Sequence, residues 1–200
     1  MGSFTGDEFL LVIDRIDRLT LLEPSDFPVC DAIGGVPATY AAAHGSAMPF
    51  AADTFDLATC RTPHHIPNVS QVLRELHRVM KPGGFALIRE PAISMGDWTR
   101  PRPGLTRNER GLPFSWLTKT SREIGFQIRR STACVFPAIG LIAHKLGGNA
   151  WHSPAWTAFD ALVCRLTAWN LRYWRGAWYR KLAPSCLFFI LQKPDPTPPA

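Results

Sequence analysis

The sequence predicts an α/β fold, a mostly parallel sheet with flanking helices, and three observations carry that prediction. Residues 48–91 read as strand, loop, helix, glycine turn and strand within the span of one right-handed βαβ unit, which sets the two strands parallel in one sheet. Residues 19–22 are a second short apolar run, preceded by a helical apolar pattern and closed by Glu23-Pro24-Ser25. Residues 126–135 and 185–192 supply two more strand-like runs, separated by a long helical stretch rich in tryptophan.

In chain order, Thr5-Gly6-Asp7-Glu8 has the form of a helix start, with Thr5 as cap and acids in the first turn, and Phe9, Leu10, Val12, Ile13 and Ile16 supply its apolar face. Residues 27–37, with Pro28, Gly34, Gly35 and Pro37, read as loop, and 39–43 as a strand of small residues. Residues 55–59, opened by Asp53, have the pattern of a strand buried on both faces. Asn68 is placed to cap a helix on which Val69, Val72, Leu73, Leu76, Val79 and Met80 share one face, with Arg74, Glu75, His77 and Arg78 mostly on the other. Lys81-Pro82-Gly83-Gly84 ends that helix, and 85–89 is the next strand. Residues 92–111 read as a mobile loop and 112–125 as a helix closed by a glycine, with Trp116 and Leu117 in the core. From Lys193 onward the proline-rich tail has no means to pack. The expected organisation is one domain over 1–193, with an insertion at about 137–181 and a tail at 194–200.

Composition narrows the function classes. The net charge is +6 with a pI near 9.4, but the cations are spread over many segments, so nucleic acid is not an expected partner. The five cysteines (Cys30, Cys60, Cys134, Cys164, Cys186) are odd in number and far apart, which excludes a disulfide framework and points to a reducing compartment; a cytoplasmic protein is expected. No stretch reaches the roughly 18 apolar residues of a membrane span. Adjacent His64 and His65 diverge and no further ligand lies at a suitable spacing, so no metal is expected.

The segments PFAADTFDLATC, HHIPN, VLRELHRVMKPGGFALI and REP, in this order and spacing, resemble the class I S-adenosylmethionine (SAM) dependent methyltransferases, most of all their type 11 small-molecule group. The resemblance implies a Rossmann-like sheet of seven strands in which residues 19–23, 55–59 and 85–89 are the second, fourth and fifth. It implies that Glu23 holds the ribose hydroxyls of SAM. Gly2 and Gly6 fall on the family's glycine-rich loop, with Phe4 where its middle glycine belongs. Ser46 stands where an aspartate commonly receives the adenine amino group, with the Ala47 N–H beside it. Thr62 lines the loop beneath the methionine end of the cofactor, and His64 or His65 is placed for positioning the acceptor or taking its proton. No residues remain for the first strand, which the family sets between the second and the fourth. The resemblance therefore implies an N-terminally shortened chain, or a homo- or hetero-oligomer in which a partner supplies that strand.

The implied reaction is methyl transfer from SAM to a small, fairly apolar molecule; the alternative is a catalytically inactive methyltransferase-like binding or regulatory protein. Five of the seven tryptophans, Trp151, Trp156, Trp169, Trp174 and Trp178, fall before the last strand among Arg165, Arg172, Arg175, Arg180 and Lys181. Trp156, Phe159, Leu162, Val163, Leu166, Trp169 and Tyr173 make a helical stripe. Three readings stay open for it: a core-facing helix, a lid over an apolar acceptor, or peripheral membrane contact through 151–181.

Overall fold

The computed structural model describes residues 6–24, 30–61, 63–97, 99–106, 109–147 and 153–195, without the side chains of Asp7 and Glu8. Strand β1 (Leu19–Glu23) pairs in parallel with β3 (Val36–Ala42), in register from Leu19↔Ala38 to Glu23↔Ala42, and β2 (Ala32–Ile33) adds antiparallel to β3. The second sheet has the order β4 (Phe55–Cys60), β5 (Met80–Pro91), β7 (Cys186–Gln192), β6 (Gln127–Cys134); β4 and β5 are parallel, and β7 runs antiparallel to both its neighbours.

Helix α1 (Val69–Val79) connects β4 to β5, as the βαβ reading requires. Asn68 caps it by accepting the Gln71 N–H at 3.2 Å. Its predicted face is buried: Val69, Val72, Leu73, Leu76 and Val79 enter one core with Ala86 and Ile88 of β5, Leu187, Phe189 and Leu191 of β7, and Leu117 of α2 (Phe114–Ile124). Each such side chain contributes about 1.5–3 kcal/mol by leaving water. Leu22, Ala41, Ala43 and Met48 belong to the same cluster, which draws the carboxyl ends of β1 and β3 to those of β4 and β5. Cys60 is buried there, and all five cysteines are free thiols.

Five expectations are corrected. Strand β4 was expected to be buried on both faces, yet Leu57 is 51% exposed. Among the described residues β1 and β4 are each the outer strand of their own sheet, at the place where the resemblance sets a strand between them, so β4 has a neighbour on one side only. The first helix is a 3-10 helix, Asp7–Arg15, broken at Val12; Phe9, Ile13 and Ile16 pack on Leu19, Leu21 and Ile33, but Leu10, Leu11 and Val12 face outward. Its N-cap is Gly6, while Thr5 and Gly2 lie outside the described residues. The stretch read as loop before residue 39 contains the β2–β3 hairpin, turned by Gly34 and Gly35, both at positive φ (56° and 85°), the geometry a two-residue turn demands. Strand β5 starts at Met80, so the glycine pair lies inside a strand. Gly83 sits at φ 77°, and a side chain on Gly84 would meet the Lys81 carbonyl.

The fifth correction concerns the aromatic stripe. Beyond α3 (Pro137–Lys145), helix α4 (Pro154–Thr167) buries Asp160 and Cys164, while Phe159, Leu162, Leu166 and, in the 3-10 turn that follows, Trp169 face solvent. The core-facing reading therefore fails for most of the stripe. Asp160 sets the helix rotation: its carboxylate accepts the Val135 and Phe136 N–H groups at 3.0 and 2.7 Å, capping α3 and turning that face of α4 inward. Trp151 lies outside the described residues.

Candidate active site

The carboxyl ends of parallel strands collect polar groups because the chain turns there into loops whose backbone is not satisfied by the sheet, and ligands bind at such ends. Glu23 ends β1 with its side chain buried, and its carbonyl accepts the Ala43 N–H at 3.0 Å, locking the ends of β1 and β3 together. The chain then turns through His44–Ala47. The Ala47 N–H donates to the His44 carbonyl at 2.9 Å, so it is committed to the turn rather than directed at a ligand, and the half-buried Ser46 is the polar side chain at that bend.

What holds this loop was not legible in the sequence. Glu75 accepts the Met48 N–H at 2.8 Å, and Arg78 donates to the Phe50 and Met48 carbonyls at 2.7 and 3.0 Å while pairing with Glu75 at 2.7 Å. These residues were expected on the polar face of α1. They instead clamp the 48–50 backbone, and the hydrogen bond from Arg78 holds the Glu75 carboxyl below its usual range.

Beyond β4, Pro63–His65 forms a 3-10 turn. His64 is buried; its Nδ1 lies 2.8 Å from Glu90 Oε2, and its backbone N–H donates to the same oxygen at 3.1 Å. Glu90, at the end of β5, is fully buried and its Oε1 has no hydrogen-bond partner. Burial pushes its carboxyl above the usual range, with the His64 hydrogen bond opposing. With Glu90 ionised, Nδ1 carries the imidazole proton and Nε2 keeps the lone pair, the arrangement of a general base oriented by a carboxylate.

His65 is partly exposed, with Nδ1 3.6 Å from Glu109 Oε2. Burial first and His64 second push its imidazole below the ordinary range, against the pull of Glu109. Glu109 is a third group near the histidines, which corrects the expectation that none lies at hand: His64, His65 and Glu109 offer ligand atoms within 4.8 Å of one another. It was hidden because it sits some 45 residues away, in the loop read as mobile.

That loop is tied down. The Gly111 and Leu112 N–H groups donate to Ile93 and Pro91 carbonyls at 3.0 and 2.7 Å. Tyr173 binds it twice, donating its hydroxyl to Gly111 and accepting the Ser94 N–H at its carbonyl. Only a glycine fits at 111, where a Cβ would strike the Ile93 and Pro91 carbonyls.

The expected site residues thus divide. Glu23, Ser46, His64 and His65 lie on loops or strand ends of the carboxyl side; Ala47 is engaged in its turn; Gly2 and Thr62 lie outside the described residues. Gly6 is buried with φ 74° at the head of the 3-10 helix, and a Cβ there would come within 2.5 Å of Ile33 Cδ1. A surface cavity of about 660 Å³ runs along the α1–α2 seam, past Arg74, His77 and Trp116, and contains none of these groups.

Comparison with known proteins places this architecture. The chain has the fold of the class I SAM-dependent methyltransferases. It superposes on the SAM-dependent methyltransferase of Mesorhizobium loti with a TM-score of 0.58 at 15% identity, covering 96% of this chain and 88% of that one. The SAM-dependent methyltransferase of Methanosarcina mazei gives 0.58 at 14%, covering 98% and 91%. Residues 14–88 match the family described as a methyltransferase domain. Similar curated proteins are the demethylmenaquinone methyltransferases of Listeria monocytogenes (30% identical over 126 residues, 54% of this chain and 53% of the relative) and Lysinibacillus sphaericus (46% over 54 residues, 26% and 23%). The chain thus spans about half the length of the Listeria relative, and less of the other.

SAM is the cofactor expected with this class, and the residues present fit its adenosine half. A buried acid ends the second strand of the family order, and a glycine in the left-handed region, φ 74°, opens the 3-10 helix before it.

Proposed function

We propose that this protein transfers a methyl group from SAM to a small, fairly apolar acceptor bearing a weakly acidic group, and that His64 takes the acceptor's proton. The observation that carries this reading is the buried His64–Glu90 pair at the carboxyl ends of β4 and β5. Glu23 accepts the ribose hydroxyls, and Ser46 and the Gly6 backbone line the nucleoside. The bound cofactor supplies an electrophilic methyl group on a sulfonium, so the protein need only align the acceptor, exclude water and receive one proton. Glu90 keeps the His64 Nδ1 proton in place, leaving Nε2 to accept the acceptor's proton when its oxygen or carbon takes the methyl group and the sulfur is released as a neutral thioether. Glu109, from the tied-down 92–111 loop, and His65, from the same 3-10 turn, lie beside His64. The demethylmenaquinone methyltransferases among its relatives make a quinol-type ring the first acceptor to try.

The test is transfer of labelled methyl from SAM to phenol and quinol acceptors, comparing wild type with His64→Ala. The variant should lose about 10²–10⁴-fold in kcat, the usual worth of a general base, and keep its SAM affinity. Equal rates would remove His64 from the chemistry. A second reading, a SAM-binding or regulatory protein without turnover, is favoured by the division of the sheet between β1 and β4. It would be supported by SAM binding with no transfer to any acceptor.

A further inference from the structure

We propose that the α4 face and the two 3-10 turns after it form a docking surface for an anionic lipid bilayer. Phe159, Leu162, Leu166, Trp169, Trp174 and Trp178 are all exposed, Trp169 and Trp178 by three quarters. All six fall on α4 and the segment directly after it, within residues 159–178. The patch is built rather than frayed. Asn170, buried, donates its side-chain amide to the Tyr179 and Leu182 carbonyls at 2.8 and 3.0 Å, which fixes the turn bearing Trp169 (Ala168–Asn170) to the turn bearing Trp178 (Trp178–Lys181). Asp160 holds α4 from the other side, so the apolar stripe is committed outward.

Charge selects the occupant. No consecutive basic run is present, but six of the 22 Lys and Arg and one of the 16 Asp and Glu fall between 137 and 182; that segment therefore carries five of the chain's six net positive charges. Its single acid, Asp160, is buried in the α3 cap, so Arg165, Arg172 and Lys181 stand exposed among the aromatics with no acid of the segment at the surface. A second copy of the chain would set this cationic face against itself. An anionic bilayer meets both features: cations reach the headgroups while indole and phenyl rings enter the interface, lying on the membrane rather than crossing it. No helix among the described residues is long and apolar enough to cross. The inference does not depend on methyl transfer.

Flotation of the full chain with phosphatidylcholine vesicles, with and without phosphatidylglycerol, tests it. Binding is expected to the anionic vesicles, to weaken with added salt, and to blue-shift tryptophan emission. The double variant Trp169→Ser/Trp178→Ser and, separately, Arg165→Glu/Lys181→Glu should each lose about tenfold or more in partitioning while keeping the wild-type circular dichroism. Because all four positions lie outside the buried core, loss of folding is not expected to obscure the result. No binding to anionic vesicles at low salt, equal binding to neutral ones, or equal binding by the variants would each overturn the proposal. So would a concentration-dependent dimer that the tryptophan variant abolishes.

Discussion

At the scale of single residues, the site depends on groups whose charge burial opposes. Glu90 has a carboxyl value raised above the 4.5 of an exposed glutamate, mainly by burial. A raised folded value adds stability below the unfolded value and loses it as pH rises through the folded one. Glu90→Gln should therefore melt at or above the wild-type temperature at neutral pH while its kcat falls, because an amide no longer fixes the His64 tautomer; a purely structural role would lower both. His77 has the opposite sign. Burial first, with Lys193 adding, lowers it from 6.5, and its Nε2 is buried without a partner. Its contribution is present above pH 6.5 and lost as pH falls through the folded value, so wild type should lose melting temperature on acidification more steeply than His77→Leu. Equal slopes, read by thermal melts across that range, would remove His77 as the cause. His64 and His65 were legible because a motif carries them. Glu90 was visible only as a strand-end acid; Glu109 and the Glu75–Arg78 clamp were hidden, since each acts across a separation that only the folded chain closes.

At the scale of elements, the sequence spoke most clearly where one periodicity met one environment. Helix α1 has an apolar stripe, a cap and a core to meet, and helix α2 ends on Gly125 at φ 109° as its pattern required. Helix α4 has an equally regular stripe, yet periodicity gives a face without saying which way it turns. That direction is decided by Asp160, whose two hydrogen bonds lie across the chain. Asp160→Ala removes charge-assisted bonds of about 1.5–3 kcal/mol each and leaves two N–H groups at the α3 start without their acceptor. We expect chemical denaturation to show a loss of roughly 3 kcal/mol, with the α3–α4 region opening first in hydrogen exchange. A loss below about 1 kcal/mol would mean that water or another group replaces the cap. The β2–β3 hairpin went unread for a simpler reason: two residues are too few for an alternation to register.

At the scale of the whole molecule, two sheets meet at the carboxyl ends of β1 and β4 without a described strand between them. The residues proposed for the nucleoside, Gly6, Glu23 and Ser46, belong to the β1–β3 side and the proposed base pair His64–Glu90 to the β4–β5 side, so cofactor and acceptor would meet across that gap. SAM at about a hundred times its dissociation constant should then stabilise the chain by about 2.7 kcal/mol, raising its melting temperature by several degrees. Isothermal titration calorimetry of wild type and Glu23→Ala with SAM tests whether this chain binds SAM through Glu23. Wild type should bind saturably at a single site, and the variant with an affinity weaker by about 1.5–3 kcal/mol, the worth of hydrogen bonds to a charged group. No binding by the wild-type chain, or the same affinity in both proteins, would contradict it.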